Sequence, residues 1–196
     1  MKTFRAFGPT IGKSKLSKKI IQNINEYVDG ITISKRNDYS SKLASQIKNE
    51  IKLSSIFIKK NISKELIKNI RDYLLKSDIK KIKEIKIINV WVVKQLKNEY
   101  NPVHYHEGQL SGVGYLKIPK NMNQNKLVKN KKIMTNGTID FINGQKNFLS
   151  KSIYNINPKL GDLVIFPNYL MHTAYPFNID GERRSFSFNV KILFKK

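Results

Sequence analysis

The three histidines of the chain are the residues best suited to carry chemistry. His104 and His106 lie two positions apart, and His172 lies far along the sequence, just after an apolar run. Because side chains two apart on a strand point to the same face, the pair can share one metal ion. A close pair with a distant third ligand is typical of an open facial metal site, which leaves positions for substrate and oxygen. The spacing predicts metal binding, and the alternative is three ordinary core or surface histidines.

A predicted strand late in the sequence adds a cation to this chemistry. Alternation places Phe186 and Phe188 on one face of the strand and Arg183 and Ser185 on the other. A guanidinium beside a hydroxyl suits a dicarboxylate, because arginine forms a bidentate, charge-assisted pair with carboxylate. Arg184 shares the phenylalanine face, so Arg183 is the better candidate. The alternative is a polar strand face exposed to solvent.

The composition excludes several kinds of site. The chain has no cysteine, which rules out disulfides, thiolate metal sites and cysteine nucleophiles. No apolar run reaches the roughly 18 residues of a transmembrane helix, and the first residues do not have the pattern of a secretory signal. We therefore expect a cytoplasmic protein with no membrane partner.

The net charge of +23 raises the question of an anionic partner. Clustered lysine and arginine bind nucleic acid by neutralising phosphates. Here the basic residues are mostly lysines spread along the chain, whereas direct base readout favours arginine. Lysine, isoleucine and asparagine together are also what AT-rich codons supply. A nucleic-acid partner is compatible with the charge but is not favoured.

The elements that must position these residues divide the chain into two parts. Helical periodicity predicts one helix over residues 16–28, capped by Ser14 or Ser17, and another over 66–74, beginning near Asn61 or Ser63. A third helix is predicted over Ser41 to Leu53. From about residue 84, short β-like runs alternate with turn residues: 85–95, 102–106, 112–118, 138–142, 162–166 and 185–194. The pattern predicts a single α+β domain over residues 1–196, with 1–83 mainly helical support for a β-sandwich or barrel in 84–196.

Taken together, these segments resemble the 2-oxoglutarate- and Fe(II)-dependent oxygenases. The similarity is to small members of that superfamily with His-x-His-Pro, Ser-Gly-Val-Tyr-Tyr and Arg-x-Ser-x-Ser-Phe-Asn motifs. It covers roughly residues 88–193, in the right order. The segments that carry it are His104–Glu107, Leu110–Leu116, Gly161–Pro167, His172 and Arg183–Asn189.

The resemblance implies a double-stranded β-helix, or jelly-roll, with iron at its open end. His104 and His172 correspond to the first and the distal metal histidine. Arg183 corresponds to the residue that binds the far carboxylate of 2-oxoglutarate, with Ser185 beside it and the Tyr115 hydroxyl nearby. The implied cofactors are Fe(II) and 2-oxoglutarate, and the implied activity is a dioxygenase reaction, by default hydroxylation of an unknown small-molecule or protein substrate.

One departure from the superfamily pattern concerns the third ligand. The pattern has a carboxylate two residues after the first histidine, where this chain has His106. His106 could be the ligand, or Glu107 could replace it. Otherwise the protein could supply only two ligands, or His106 could contact substrate. An all-histidine face would also suit zinc. A second departure is Gly114, where relatives often carry tyrosine, and we expect it to widen the pocket.

Two other functions are consistent with the same residues. The first is a cupin-like metal-binding jelly-roll without 2-oxoglutarate chemistry, and the second is a basic nucleic-acid-binding protein. We also predict a mobile loop over Lys120 to Lys132, whose lysines could receive an anionic substrate.

Overall fold

The helices and strands of the computed structural model lie within its described residues, which are 1–5, 8–122 and 135–195. The helices are α1 (Lys18–Asp29), α2 (Ser55–Asn61) and α3 (Ser63–Lys76), and Ser40–Lys42 form a short 3₁₀ helix. The strands are β1 (Lys2–Arg5), β2 (Thr10–Lys15), β3 (Glu50–Lys52), β4 (Ile82–Gln95), β5 (Asn101–His104), β6 (Leu110–Lys117), β7 (Ile139–Ile142), β8 (Ile153–Ile156), β9 (Asp162–Pro167), β10 (Met171–Ala174) and β11 (Arg183–Phe194).

The strands form two antiparallel sheets. The large sheet has the order β1-β2-β9-β6-β11-β4-β3, and the small sheet has the order β5-β10-β7-β8. Strands that are consecutive along the chain often belong to different sheets, as in β5 and β6 or β9 and β10. Two sheets that exchange strands in this way make the jelly-roll of an α+β protein, and the predicted fold class is confirmed.

Helices α1 and α3 pack on the outer face of the large sheet. The Ser17 hydroxyl caps α1 by accepting a hydrogen bond from the Ile20 amide, as one of the two predicted caps requires. The same serine is held by Glu65 of α3, whose carboxylate accepts from the Ser17 amide and hydroxyl at 2.8 and 2.6 Å. The buried stripe of α1 is Ile20, Ile24 and Val28. These contacts place an apolar layer between the helices and the sheet.

Strand β11 separates the helix-side core from the space between the sheets. Phe186 and Phe188 are fully buried in the helix-side core. Arg183 and Ser185 point the other way, between the two sheets, where they border a cavity. The predicted alternation of this strand is confirmed, and it decides which side chains can reach the site.

The predicted helix over Ser41 to Leu53 is wrong. Residues 50–52 instead pair with β4, with Ile51 opposite Val92, and the Gln46 amide donates to the Tyr100 carbonyl at 2.9 Å. The apolar spacing of this segment fits both a helix and a strand, and burial against Trp91 and Val93 of β4 decides for the extended form. The helix starts later, at Ser55, with Ser54 as its cap.

Other differences lie in the first 83 residues, which also supply β1, β2 and β3 to the large sheet. Strand β2 pairs with β9, far along the chain, so local periodicity could not reveal it. Of the loop predicted over Lys120 to Lys132, residues 123–132 lie outside the described residues. No helix in the described part of the chain is both long enough and apolar enough to cross a membrane.

Candidate metal centre

A cavity of about 400 Å³ opens between the two sheets. It is bordered by every residue that the sequence singled out for chemistry: His104, His106, Glu107, Tyr115, His172, Arg183 and Ser185. The remaining walls come mainly from apolar side chains of both sheets and from the segment 39–47. One enclosed space therefore combines histidines, an arginine and an apolar lining, as ligand sites commonly do.

The three histidines meet at one end of this cavity. His172 on β10 pairs directly with His104 on β5, and His106 follows two residues after His104. One ring nitrogen of each histidine lies within 4.8 Å of the corresponding atoms of the other two. The Nε2 atoms of His106 and His172 are 3.1 Å apart. Two cis ligands bonded to one metal at about 2.1 Å would be separated by about 3 Å, so this pair has the spacing of a ligand pair.

Each histidine is oriented through its other ring nitrogen. The Nδ1 atoms of His104 and His172 lie 2.7 and 3.0 Å from the carbonyl oxygens of Pro102 and Leu170. The Nδ1 atom of His106 lies 3.0 Å from the side-chain oxygen of Asn189. Oxygen acceptors at all three Nδ1 atoms select the tautomer with a hydrogen there. All three Nε2 lone pairs are then free to bind a cation.

Burial keeps the three imidazoles neutral. It lowers the pKa of all three histidines, that of His106 to about 4 and that of His172 well below its usual value. The neighbouring imidazoles lower the pKa of His106 and His172 further. Neutral imidazole is the form that binds metal. Two Nε2 lone pairs that face each other at 3.1 Å repel unless a cation lies between them, so this donor set fits a divalent metal ion.

Glu107 lies outside the histidine cluster. It borders the cavity, but its carboxylate is not part of the group of converging ligand atoms found in the described residues. The site therefore has three neutral donors and no carboxylate among them.

At the other end of the cavity lies Arg183, which is 3% exposed. Its Nη1 donates to the Gly137 carbonyl at 2.7 Å and its Nη2 donates to the Gln95 side-chain oxygen. Its Nε has no partner within the described residues, and no carboxylate of that part of the chain forms an ion pair with it. Burial lowers its pKa. A buried guanidinium without a counter-charge is costly, so this position fits an anionic ligand.

Tyr115 provides a second unsatisfied donor beside this arginine. Its side chain is 1% exposed, and its hydroxyl has no hydrogen-bond partner within residues 1–5, 8–122 and 135–195. Burial raises the pKa of this phenol, which therefore stays protonated and able to donate. Ser185, opposite Tyr115 in the β11–β6 register, adds another hydroxyl. A guanidinium and two hydroxyls that border the same cavity match the acceptor oxygens of a carboxylate.

Three supporting residues were not predicted from the sequence. Gln95 holds the Arg183 guanidinium, Asn189 holds His106, and Trp91 stacks on the His106 ring with centroids 5.6 Å apart. The Asn189 side-chain oxygen also accepts a hydrogen bond from the Ser111 hydroxyl at 3.0 Å. Asn189 lies on the same face of β11 as Arg183, so strand alternation could have identified it. Nothing in the local sequence marks Gln95 or Trp91.

The expectation that Gly114 widens the pocket is wrong. Gly114 faces the helix-side core, where a Cβ atom would lie 2.3 Å from the ring of Phe186 and 3.0 Å from Leu16. The glycine therefore lets the Phe186 ring pack against the backbone of β6. The pocket side of this strand is occupied by Val113 and Tyr115 instead.

Comparison with known proteins shows which family and which solved structures the chain is similar to. Residues 89–189 match the model of a family described as "Putative 2OG-Fe(II) oxygenase". No curated protein matches the chain. The whole matching segment spans the histidines, Tyr115 and Arg183.

Solved structures share the fold at low sequence identity. A prolyl-4-hydroxylase from Pseudomonas putida superposes with a TM-score of 0.54 at 12% identity, covering 95% of this chain and 93% of that one. A viral collagen prolyl hydroxylase from Paramecium bursaria Chlorella virus-1, solved with 2-oxoglutarate, superposes with a TM-score of 0.58 at 16% identity, covering 94% of this chain and 96% of that one. HygX from Streptomyces hygroscopicus with iron bound superposes with a TM-score of 0.58 at 9% identity, covering 95% of this chain and 82% of that one.

Proposed function

The chain belongs to the family of 2OG-Fe(II) oxygenases, and from this premise we propose which of its residues hold the two cofactors. The protein is an enzyme that depends on Fe(II) and 2-oxoglutarate. What has to be assigned is the ligand set of the metal, the binding site of the co-substrate and the kind of substrate.

His104, His106 and His172 are the metal ligands, each through Nε2. The observation that carries this assignment is the convergence of three buried imidazoles whose Nδ1 atoms are all occupied by oxygen acceptors. Ligating histidines usually have such a partner on the second nitrogen, which fixes the ring and raises its basicity. Glu107 is then not a ligand but a charged residue at the cavity mouth.

Arg183, Tyr115 and Ser185 bind the distal carboxylate of 2-oxoglutarate. The unpartnered Nε of Arg183 and the unpartnered hydroxyl of Tyr115 support this assignment, because both gain an acceptor when a carboxylate enters. Gln95 keeps the guanidinium in place by accepting from Nη2, while its own amide donates to the Glu99 and Tyr175 carbonyls. Gln95 is thus a positioning residue for the co-substrate.

The chain's own residues supply orientation and a dry environment for the reaction. Bound Fe(II), 2-oxoglutarate and molecular oxygen would supply the oxidising chemistry, in which one atom of O2 enters the succinate formed with carbon dioxide and the other hydroxylates a substrate C–H bond. Phe141 and Phe166, both buried, pack against His172 with ring centroids 5.7 and 4.8 Å from it. Together with Trp91 beside His106, they exclude water from the histidine cluster and keep the imidazoles neutral.

Succinate release from 2-oxoglutarate by the purified protein with Fe(II), ascorbate and oxygen tests the assignment. We expect slow turnover without substrate in the wild type and none in His172→Ala. Metal content measured by mass spectrometry should fall in the same variant. His104→Ala and His106→Ala should behave alike, whereas Glu107→Ala should keep both metal and turnover. Loss of metal in Glu107→Ala with retention in His106→Ala would overturn the all-histidine ligand set.

The co-substrate site has its own test. Calorimetric titration of 2-oxoglutarate into the nickel-loaded protein should show binding that weakens about 100-fold or more in Arg183→Met, since a charge-assisted bidentate pair is lost. Arg36→Met is the matched control, because Arg36 is exposed and does not border the cavity. Equal affinity in wild type and Arg183→Met would contradict the assignment.

The substrate is a small molecule or a protein, and hydroxylation is the expected outcome. A cytoplasmic location stays a prediction, which fractionation of cells that express the chain would check.

A further inference from the structure

The outer face of the small sheet carries a row of apolar side chains. Met171 of β10 pairs with Ile142 of β7, and Ile142 pairs with Ile153 of β8. Tyr105 directly follows His104, the partner of His172, and lies one residue past the end of β5. Because His172 faces the cavity, its neighbour along the strand faces outward. We call Tyr105, Met171, Ile142 and Ile153 the apolar row.

The side chains of this row are exposed to solvent. The exposed fractions are 72% for Tyr105, 44% for Met171 and 52% for Ile153, and Ile142 is half-buried. The next row on the same face is polar, with Thr173 opposite Asp140 and Asp140 opposite Asn155. An antiparallel sheet usually presents polar residues to water, so a continuous apolar row across β10, β7 and β8, extended by Tyr105, indicates a contact surface.

The apolar row begins at the mouth of the cavity. Tyr105 borders the cavity and lies between two of the proposed metal ligands, and Met171 immediately precedes the third. The cavity of about 400 Å³ must hold 2-oxoglutarate as well as the reacting group of the substrate. Only a small part of a large substrate can therefore enter. The rest must lie outside, and the apolar row is a surface continuous with the entrance.

The charges around the row favour an acidic occupant. Lys42 borders the cavity at one end, and Lys146 and Lys151 lie within the β7–β8 loop at the other. Among the described residues none of these three lysines forms an ion pair, and Glu107 is the acidic residue that borders the mouth. A second copy of the chain is disfavoured as the occupant, because two molecules of net charge +23 repel each other.

We propose that the apolar row is the docking surface for a polypeptide substrate whose binding segment combines apolar and acidic residues. The apolar side chains of that segment lie along the apolar row, its acidic residues approach the lysines, and one side chain enters the cavity for oxidation. This proposal rests on the proposed function, and it narrows the substrate class to protein.

Selection from a phage library of random short peptides, carried out on the metal-free protein, tests the docking surface without the reaction. We expect enrichment of sequences with apolar and acidic residues. Labelled synthetic peptides with the selected sequences should bind the double variant Met171→Ser/Ile153→Ser at least about tenfold more weakly than the wild type, because two apolar contacts are lost. The control is Ile56→Ser/Leu75→Ser, two exposed apolar residues on the helices, which should bind like wild type. Equal binding by both double variants would overturn the proposal.

A second measurement avoids dependence on those variants. The chain has no cysteine, so an environment-sensitive dye can be attached at Ile153→Cys alone. We expect its emission to shift when a selected peptide is added, and the same dye at Ile56→Cys to stay unchanged. Emission that shifts at neither position, despite peptide binding, would place the peptide elsewhere and refute the docking surface.

Other occupants give different results. Binding to phosphatidylglycerol vesicles that is lost in Met171→Ser/Ile153→Ser, with no peptides selected, would assign the row to a lipid surface. A dimer in sedimentation experiments that the same double variant dissolves would assign it to a second copy. Either result would overturn the proposal.

Failure of the docking surface can be told apart from failure of the proposed function. Met171→Ser/Ile153→Ser should keep the succinate release that needs no substrate. Succinate release with no selectable peptide would reject the docking surface alone. Peptide binding without any succinate release would reject the proposed function and leave the docking surface in place.

Discussion

At the scale of single residues, the proposed metal centre depends on three oxygen atoms that orient three imidazoles. Two of these oxygens are backbone carbonyls of Pro102 and Leu170, which no side-chain substitution removes directly. The third is the side-chain oxygen of Asn189, which also accepts from Ser111. Asn189 is therefore the orienting group that mutation can test.

Replacing Asn189 with leucine should weaken metal binding about 10- to 100-fold, because His106 loses the acceptor that fixes its tautomer and ring orientation. Titration of nickel or cobalt into the metal-free protein measures the affinity. Ser187→Ala is the control, since Ser187 lies on the same face of β11 and borders the cavity without bonding a histidine. An unchanged affinity in Asn189→Leu would show that the hydrogen bond does not orient His106.

The lowered pKa of His106 predicts how the metal-free protein responds to acid. A folded-state pKa of about 4, below the usual value of 6.5, means that the unfolded chain binds the proton more tightly. Stability from this group is complete above pH 6.5 and is lost as the pH falls toward 4. Relative to His106→Gln, the wild type should lose about 2 kcal/mol between pH 7 and pH 5. Urea unfolding at both pH values measures this difference, and a constant difference would contradict it.

At the scale of elements, the segment 39–50 determines one wall of the cavity. Tyr39, Leu43 and Ile47 pack against Trp91 and Val93 of β4. Beneath them, Glu50 of β3 is 1% exposed, and its carboxyl accepts from the Ser45 hydroxyl. Its other oxygen has no partner in the described part of the chain. This wall is thus held by the hydrogen bond between Ser45 and the buried Glu50 carboxyl as well as by apolar contacts.

Glu50→Gln should stabilise the protein at alkaline pH. Burial, with smaller contributions from Asp38 and Glu99, raises the pKa of Glu50 to about 7. A raised pKa favours the folded state below pH 4.5, and this contribution is lost as the pH rises through 7. The variant should therefore gain up to about 3 kcal/mol at pH 8 and little at pH 4. Thermal unfolding across this range measures the gain, with Glu84→Gln on the exposed part of β4 as control.

Elements with local signals were predictable, and elements with distant partners were not. Helices α1 and α3 show their buried stripes in the sequence, and β11 shows its two faces by alternation. Strand β2 is recognisable only through pairing with β9, which lies about 150 residues away. The site behaves in the same way: the histidines and Arg183 stand out by residue type. Gln95 reaches Arg183 across 88 residues, a contact that no local pattern encodes.

At the scale of the whole molecule, the helices and the jelly-roll share one core. Ile24 of α1, Ile70 of α3 and Phe188 of β11 belong to the same buried cluster. Strands β1 and β2, from the N-terminal part of the chain, extend the large sheet beyond β9. Neither part of the chain can bury its apolar surface without the other.

Residues 1–196 should therefore unfold as a single domain. In differential scanning calorimetry we expect one transition whose calorimetric and van't Hoff enthalpies agree. Substitutions in α1, such as Ile24→Ala, should lower that single Tm rather than separate a second transition, because the α1 core is also the core of the large sheet. Two resolved transitions would show that the helical part and the jelly-roll are independent units.

The stacking of Trp91 on His106 gives the protein a built-in optical signal. Trp91 is the only tryptophan of the chain, and it is buried with its ring stacked on His106, an imidazole of the proposed metal centre. A paramagnetic ion such as nickel or cobalt bound to His106 should quench its fluorescence, while diamagnetic zinc should quench it much less. Metal occupancy could thus be followed by intrinsic emission alone, before any substrate is identified.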